Sequence, residues 1–279
     1  MSKTFLLITF LLLSCSNIAR QPNAKAESLL HFYSDDNYLA LFVLVNTNPN
    51  RRTDKNYTKD ILNFQNKIWA KDKSDYERLL SNFKGPNQLT YLTFKNKYEH
   101  DYVNLISSSI VTDEFQVLKK QNDAYKSNIE KMWNDDFSKT EAIVVSLTGL
   151  NLDKASDVMI THPGLRNGRE LQGQWIEWGG HSDQAYVVTY LWHELLHQYF
   201  DRSNLSHSVI ELITDNELNK QITGVGYPPF RGHQQLSVIE NCLAEDWNSY
   251  LVGDSKNIMD FLQTNKSKEC GALFEDLNW

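Results

Sequence analysis

The chain has 279 residues, 41% of them hydrophobic, and a formal charge of −7. That is enough apolar material for one large domain or two small ones. The acidic balance, with no basic patch interleaved with aromatics, argues against nucleic acid and other polyanions as partners.

The chain starts with Met1-Ser2-Lys3 and then an apolar run, Phe5 to Leu13, interrupted only by Thr9. The run is too short to span a bilayer and has the proportions of a signal peptide. It ends in Leu12-Leu13-Ser14-Cys15, which resembles a bacterial lipobox. That resemblance implies a lipoprotein signal peptide over 1–14, lipidation of Cys15 and a polar tether over 15–27. The location implied is the bacterial cell envelope, with a lipid anchor, on the periplasmic or surface side. No later apolar run is long enough to cross a membrane. In an oxidising compartment the remaining cysteines, Cys242 and Cys270, can form one disulfide; the alternative is two unpaired thiols.

Residues 28–140 read as a mostly helical region. Tyr38 to Asn46 is apolar and β-branched, and its pattern fits a buried strand or a helix. Asn46 to Lys55 is a loop by composition. Ile61, Phe64 and Ile68 then recur at helical spacing. Ser74 is a candidate N-cap for a helix through Phe83, stopped by Gly85-Pro86. A longer helix is predicted from Thr112 or Asp113 to Trp133. The paired acids Asp35-Asp36 and Asp135-Asp136 read as solvated turn or helix-end residues, and the scattered tryptophans as core, the alternative being platforms for sugars.

Residues 141–279 change character. Ala142 to Leu147, Asp157 to His162 and Leu171 to Trp178 carry strand signals. Within the last of these, Gln174 to Trp178 is the candidate sheet edge for pairing with an extended peptide. A helix follows, containing His193-Glu194-Leu195-Leu196-His197, with Ser182 or Asp183 as candidate N-cap. Further helices are predicted over Ser208 to Lys220, Gln234 to Leu251 and Asn257 to Leu262, with a Gly/Pro-rich loop from Gly224 to His233. The fold class expected is α+β: a small mixed sheet packed on the motif helix, helices on either side in sequence.

H-E-x-x-H places two imidazoles four residues apart on one helix face, with a carboxylate close by. The chemistry this suits is zinc held by His193 and His197, with Glu194 as general base toward a zinc-bound water. A catalytic zinc needs a third protein ligand, and Asp201, His207 and Glu211 are the candidates downstream. If the motif helix and its successor form an antiparallel pair about Asn204, His197 lies level with Glu211 and His193 level with Asp215. That pairing selects Glu211 as third ligand and Asp215 as the acid behind His193. Tyr227 and His233 are candidate donors to the oxyanion, the alternative being a packed aromatic and a helix-start polar group. His31, His100, His162 and His181 read as surface or loop residues.

His193 to His197 followed by Glu211-Leu212-Ile213-Thr214-Asp215 resembles the H-E-x-x-H and E-x-x-x-D pairing of gluzincin (thermolysin-like) metallopeptidases. The resemblance covers Asp183 to about Lys220. It implies a zincin-like fold, zinc on His193, His197 and Glu211, Glu194 as base and acid, and Asp215 as the orienting carboxylate. The interval from His197 to Glu211 is shorter than in thermolysin-like enzymes. The metzincin extension is absent, and Ser203 stands where its third histidine would be. The expected activity is hydrolysis of a peptide or protein substrate. The alternatives are a non-catalytic envelope lipoprotein on the same fold and an amide hydrolase acting on cell-wall peptide.

Overall fold

The computed structural model describes residues 28–46, 55–83, 88–165, 167–172, 174–180, 186–225, 232–253 and 256–266. The tether, Cys15, Tyr227, His181 and the candidate caps Ser182 and Asp183 lie outside them. Among the described residues no helix is long and apolar enough to cross a membrane.

Strand β1 (Leu30–Tyr33) leads into helix α1 (Asp36–Val45), whose first turn is capped by Asp35 accepting from the Tyr38 amide. The undecided segment Tyr38 to Val45 is therefore helical, and every residue in it is buried, which explains why it shows no amphipathic period. Helices α2 (Lys55–Lys71), α3 (Lys73–Asn82), α4 (Tyr91–Thr93), α5 (Glu99–Asp101) and α6 (Val103–Ile110) follow. The cap of α3 is Asp72, two residues before the expected Ser74.

Helix α7 (Asp113–Thr148) runs for 36 residues, capped by Thr112 accepting from the Phe115 amide. It ends at Gly149, whose φ of 68° suits the left-handed cap. The strand expected at Ala142 to Leu147 is the last part of this helix. The stripe Ile129, Trp133, Phe137, Thr140, Val144 and Leu147 stays in phase and buried, so packing of one helix face overrides the strand preference of the β-branched run. The expected division after residue 140 thus falls inside a continuous helix.

Strands β2 (Ser156–Ile160), β3 (Gly168–Leu171) and β4 (Trp175–Trp178) complete a four-stranded mixed sheet ordered β1-β2-β4-β3. β1 and β4 run parallel to β2, and β3 is antiparallel to β4. The expected peptide-pairing segment, Gln174 to Trp178, holds instead β4, interior to the sheet, and the edge on that side is β3. Below β4, the buried Glu177 carboxylate takes bonds from Arg169 (2.7 Å) and Tyr38 (2.6 Å), tying β4 to β3 and α1.

The sheet separates two apolar cores. Phe32, Val158, Ile160, Ile176 and Trp178 face the core built with helices α8 (Val187–Leu196), α9 (Asn204–Glu211), α10 (Asn219–Thr223), α11 (Ser237–Val252) and α12 (Ile258–Lys266). Met159 faces the other, filled by α1, α2, α3 and α6. Helix α7 belongs to both, with Phe115 and Leu118 in the second and Trp133 to Leu147 in the first. The fold is mixed, dominated by helix around a small sheet. Cys242 is disulfide-bonded; its expected partner, Cys270, lies outside the described residues.

Candidate metal centre

Helix α8 carries the motif and is held down by Trp192. The indole stacks on Phe137 (6.0 Å), lies 5.1 Å from Trp133, and donates to Thr140 Oγ1 at 2.7 Å. With Val188, Leu191 and Leu195 also buried, the opposite face is left to His193, Glu194 and His197. The helix stops at Leu196, and the turn closes through i→i+3 bonds, Gln198 to Leu195 and Tyr199 to Leu196. Ser203 caps α9, and Asp201 accepts from the Ser203 amide and both serine hydroxyls, Ser203 and Ser206. Asp201 is thereby committed to the turn.

The turn lies about Phe200, midway between Leu196 and Asn204, four residues earlier than the expected centre. That shift brings His207 level with His193: their Nε2 atoms are 3.1 Å apart. The ligating atoms of His193, His197 and His207 all lie within 4.8 Å of one another. Two nitrogens on one tetrahedral zinc, with bonds of about 2.0–2.1 Å, lie about 3.3 Å apart, close to the His193–His207 separation, and the trio is a group that could hold a metal ion. The trio is closed by His207, and Glu211 stands beside it, with Oε1 3.8 Å from His207 Nε2.

A second group able to hold an ion consists of His207, Glu211 and His233. Glu211 Oε1 accepts from the His233 amide at 2.8 Å and pairs with His233 Nδ1. Gly232 packs so close that a Cβ there would run into the Glu211 carboxylate. His233 therefore joins the cluster through Glu211. Behind Glu211, α11 brings in Glu240, also buried, and among the described residues neither Glu211 Oε2 nor Glu240 Oε1 has a hydrogen-bond partner. Burial, with the hydrogen bond to Glu211 and the like charges of Glu211 and Asp215, pushes the Glu240 carboxyl up to about 9.

Asp215 Oδ2 lies 3.1 Å from His193 Nδ1, and the other Asp215 oxygen takes the Tyr186 hydroxyl. Residues Leu212–Leu218 are wound as a π-helix, whose wider turn carries Asp215 behind the first histidine while Glu211 stays near His207. Burial would lower His193, but Asp215, then Glu194 and Glu211, raise it to about 9. Burial and the charge on His193 push His197 down to about 3 and His207 to about 2. Glu194 is raised by burial, offset by His193 and by a hydrogen bond from the Glu170 backbone. The edge strand β3 packs against α8, the helix that carries Glu194.

No protein-family model, curated protein or solved structure matches this chain. The site's chemistry must therefore be argued from its own residues. Sequence reasoning did not single out Glu240, although it occupies the apolar stripe Leu236, Ile239, Glu240, Leu243 and Trp247 of its helix, an acid where a core residue belongs. His162, expected as a surface or loop residue, lies in the loop just past β2 but is fully buried, with Nδ1 accepting from the Gly164 amide and burial holding it down to about 3. His31 and His100 are exposed as expected.

Proposed function

We propose that this protein is a zinc-dependent hydrolase of peptide bonds, held at a bacterial cell envelope by a lipid on Cys15. The observation that carries the reading is the imidazole trio His193, His197 and His207, with Glu194 buried on the same helix face. The anchor rests on the Phe5 to Leu13 run and the Leu12 to Cys15 pattern. The site would share with gluzincin metallopeptidases the motif helix and the acid behind its first histidine, and differ in the residue that completes the trio.

Zinc, when bound, supplies a Lewis acid that lowers the pKa of its water and polarises the scissile carbonyl. Asp215 fixes the Nδ1–H tautomer of His193 and so presents Nε2 as ligand. Glu194, raised by burial, takes the water proton and returns it to the leaving amine nitrogen. An extended peptide adding to the β3 edge would pass beside Glu194, because β3 packs against α8, the helix that carries it. His233 would serve from the exposed side of the cluster.

The purified mature chain should carry about one zinc, and a peptide-library digest should stop when a chelator removes it. Glu194→Gln should keep the zinc and lose hydrolysis by about 10²–10⁴-fold. Cleavage insensitive to the chelator, or full turnover in that variant, would overturn the reading.

A further inference from the structure

A cavity of about 450 Å³ opens on the face of the sheet opposite the metal centre, lined among others by Tyr33, Asp36, Tyr91, Lys119, Met159 and Trp175. Its floor is a strip across three strands. Tyr33 on β1 pairs in register with Met159 on β2, and Trp175 on β4 lies on that same side, two residues before Glu177, the partner of Met159. Tyr91, at the start of α4, closes the strip, its ring 4.9 Å from Trp175, which lies 5.9 Å from Tyr33. Three aromatic rings from separate elements thus converge on one opening, and Tyr33 remains 43% exposed there.

The polar end of the cavity is formed by Ser34 to Asn37, leading into α1, and by Lys119 of α7. Its ammonium groups are already paired. Lys119 Nζ lies 2.8 Å from Asp36, and Lys95 Nζ lies 3.6 Å from Asp35, whose same oxygen takes the Tyr91 hydroxyl at 3.4 Å. Lys95 also pairs with Glu99 at 2.6 Å and Lys119 with Asp123 at 3.4 Å, so acids outnumber cations here and both ammonium groups are already engaged, which disfavours an anion. Half-exposed, they still present acceptors and donors for hydroxyl groups. Flat aromatic faces beside an array rich in acceptors match a molecule with C–H faces and many hydroxyl donors, and the volume lies within the usual range of ligand pockets.

We propose that this cavity is a binding site for a neutral saccharide, separate from the hydrolytic centre. Sugar rings stack on Trp175 and Tyr33, and ring hydroxyls bond to Asp36 and Lys119. The site does not depend on the metal reading, because the sheet and the β-strand floor lie between the two.

The test uses the full mature chain, with and without chelator, against immobilised and soluble neutral oligosaccharides: chitotriose, maltotriose and cellotriose. The expected result is saccharide binding that survives chelation and weakens about five- to tenfold in Tyr33→Ala and in Asp36→Asn. Both positions are at the surface, so folding is preserved and circular dichroism checks it. Absence of binding to all three sugars at millimolar concentration would overturn the proposal. So would undiminished binding in both variants, or capture of tetramethylammonium in place of sugar, which would make the cavity a cation cage. Loss of binding on chelation would place the sugar at the metal centre and also refute it.

Discussion

Replacing His207 by alanine tests how the metal centre is built. His207 Nε2 lies 3.1 Å from His193 Nε2, close to the spacing of two nitrogens on one zinc, whereas Glu211 Oε1 sits 3.8 Å from His207 and is already held by the His233 amide. Zinc binds four-ligand protein sites with about 10–16 kcal/mol, so an even share is about 3–4 kcal/mol per ligand. Loss of His207 should therefore weaken zinc by a few hundredfold. Glu211→Gln keeps the shape and removes only a neighbouring charge, which belongs with the ~10-fold effects of groups that orient ligands. Competition between each variant and a fluorescent chelator of known affinity measures both losses on one scale. The reasoning fails if the ranking is reversed, with Glu211→Gln losing hundreds-fold and His207→Ala near wild type. Glu211 would then be the third ligand, as the sequence motif suggested.

Trp192→Ala should destabilise the fold by about 3–5 kcal/mol, because it removes the indole between Trp133 and Phe137 and leaves a cavity under α8; urea titration reads the change. The buried His162 should make the fold acid-labile. Its folded pKa is about 3 against an ordinary 6.5, so the unfolded chain takes up the proton first. The contribution is complete above pH 6.5 and lost as pH falls toward 3, by up to about 5 kcal/mol at the low end. His162→Asn, which can still accept from the Gly164 amide, should flatten that part of the stability–pH curve; an unchanged acid limb would remove His162 as its cause.

Much of this was legible in the sequence where one period dominates. The motif helix, the Thr112 cap of α7 and the strand beginning near Asp157 follow from spacing and composition alone. Ala142 to Leu147 misled because a β-branched run has strand preference, while its burial was decided by a stripe that began over ten residues earlier at Ile129. The candidate site was legible at the motif residues and at Asp215, which lies against His193. His207 was legible as one of three candidates, but a pairing centred on Asn204 favours Glu211, whereas the turn bonds of Gln198 and Tyr199 close the turn near Phe200. Residues set in place by tertiary packing alone, such as Glu240 and the buried His162, leave no local period to follow.

The 36-residue helix α7, about 54 Å long, has a kinetic consequence. Strand β1 pairs Leu30 with Ser156, a separation of 126 residues, and the helix that spans the interval belongs to both cores. Contacts this distant in sequence form late and slow folding. The two cores should consequently be gained and lost together, in one transition, even though a chain of this length has room for two domains. A fragment starting near residue 141 would carry every histidine of the centre, yet β2 would be bare along the side that β1 covers. Such an unpaired edge is a template for association between chains. The metal centre is thus encoded in the second half of the sequence but can be assembled only by the whole of it.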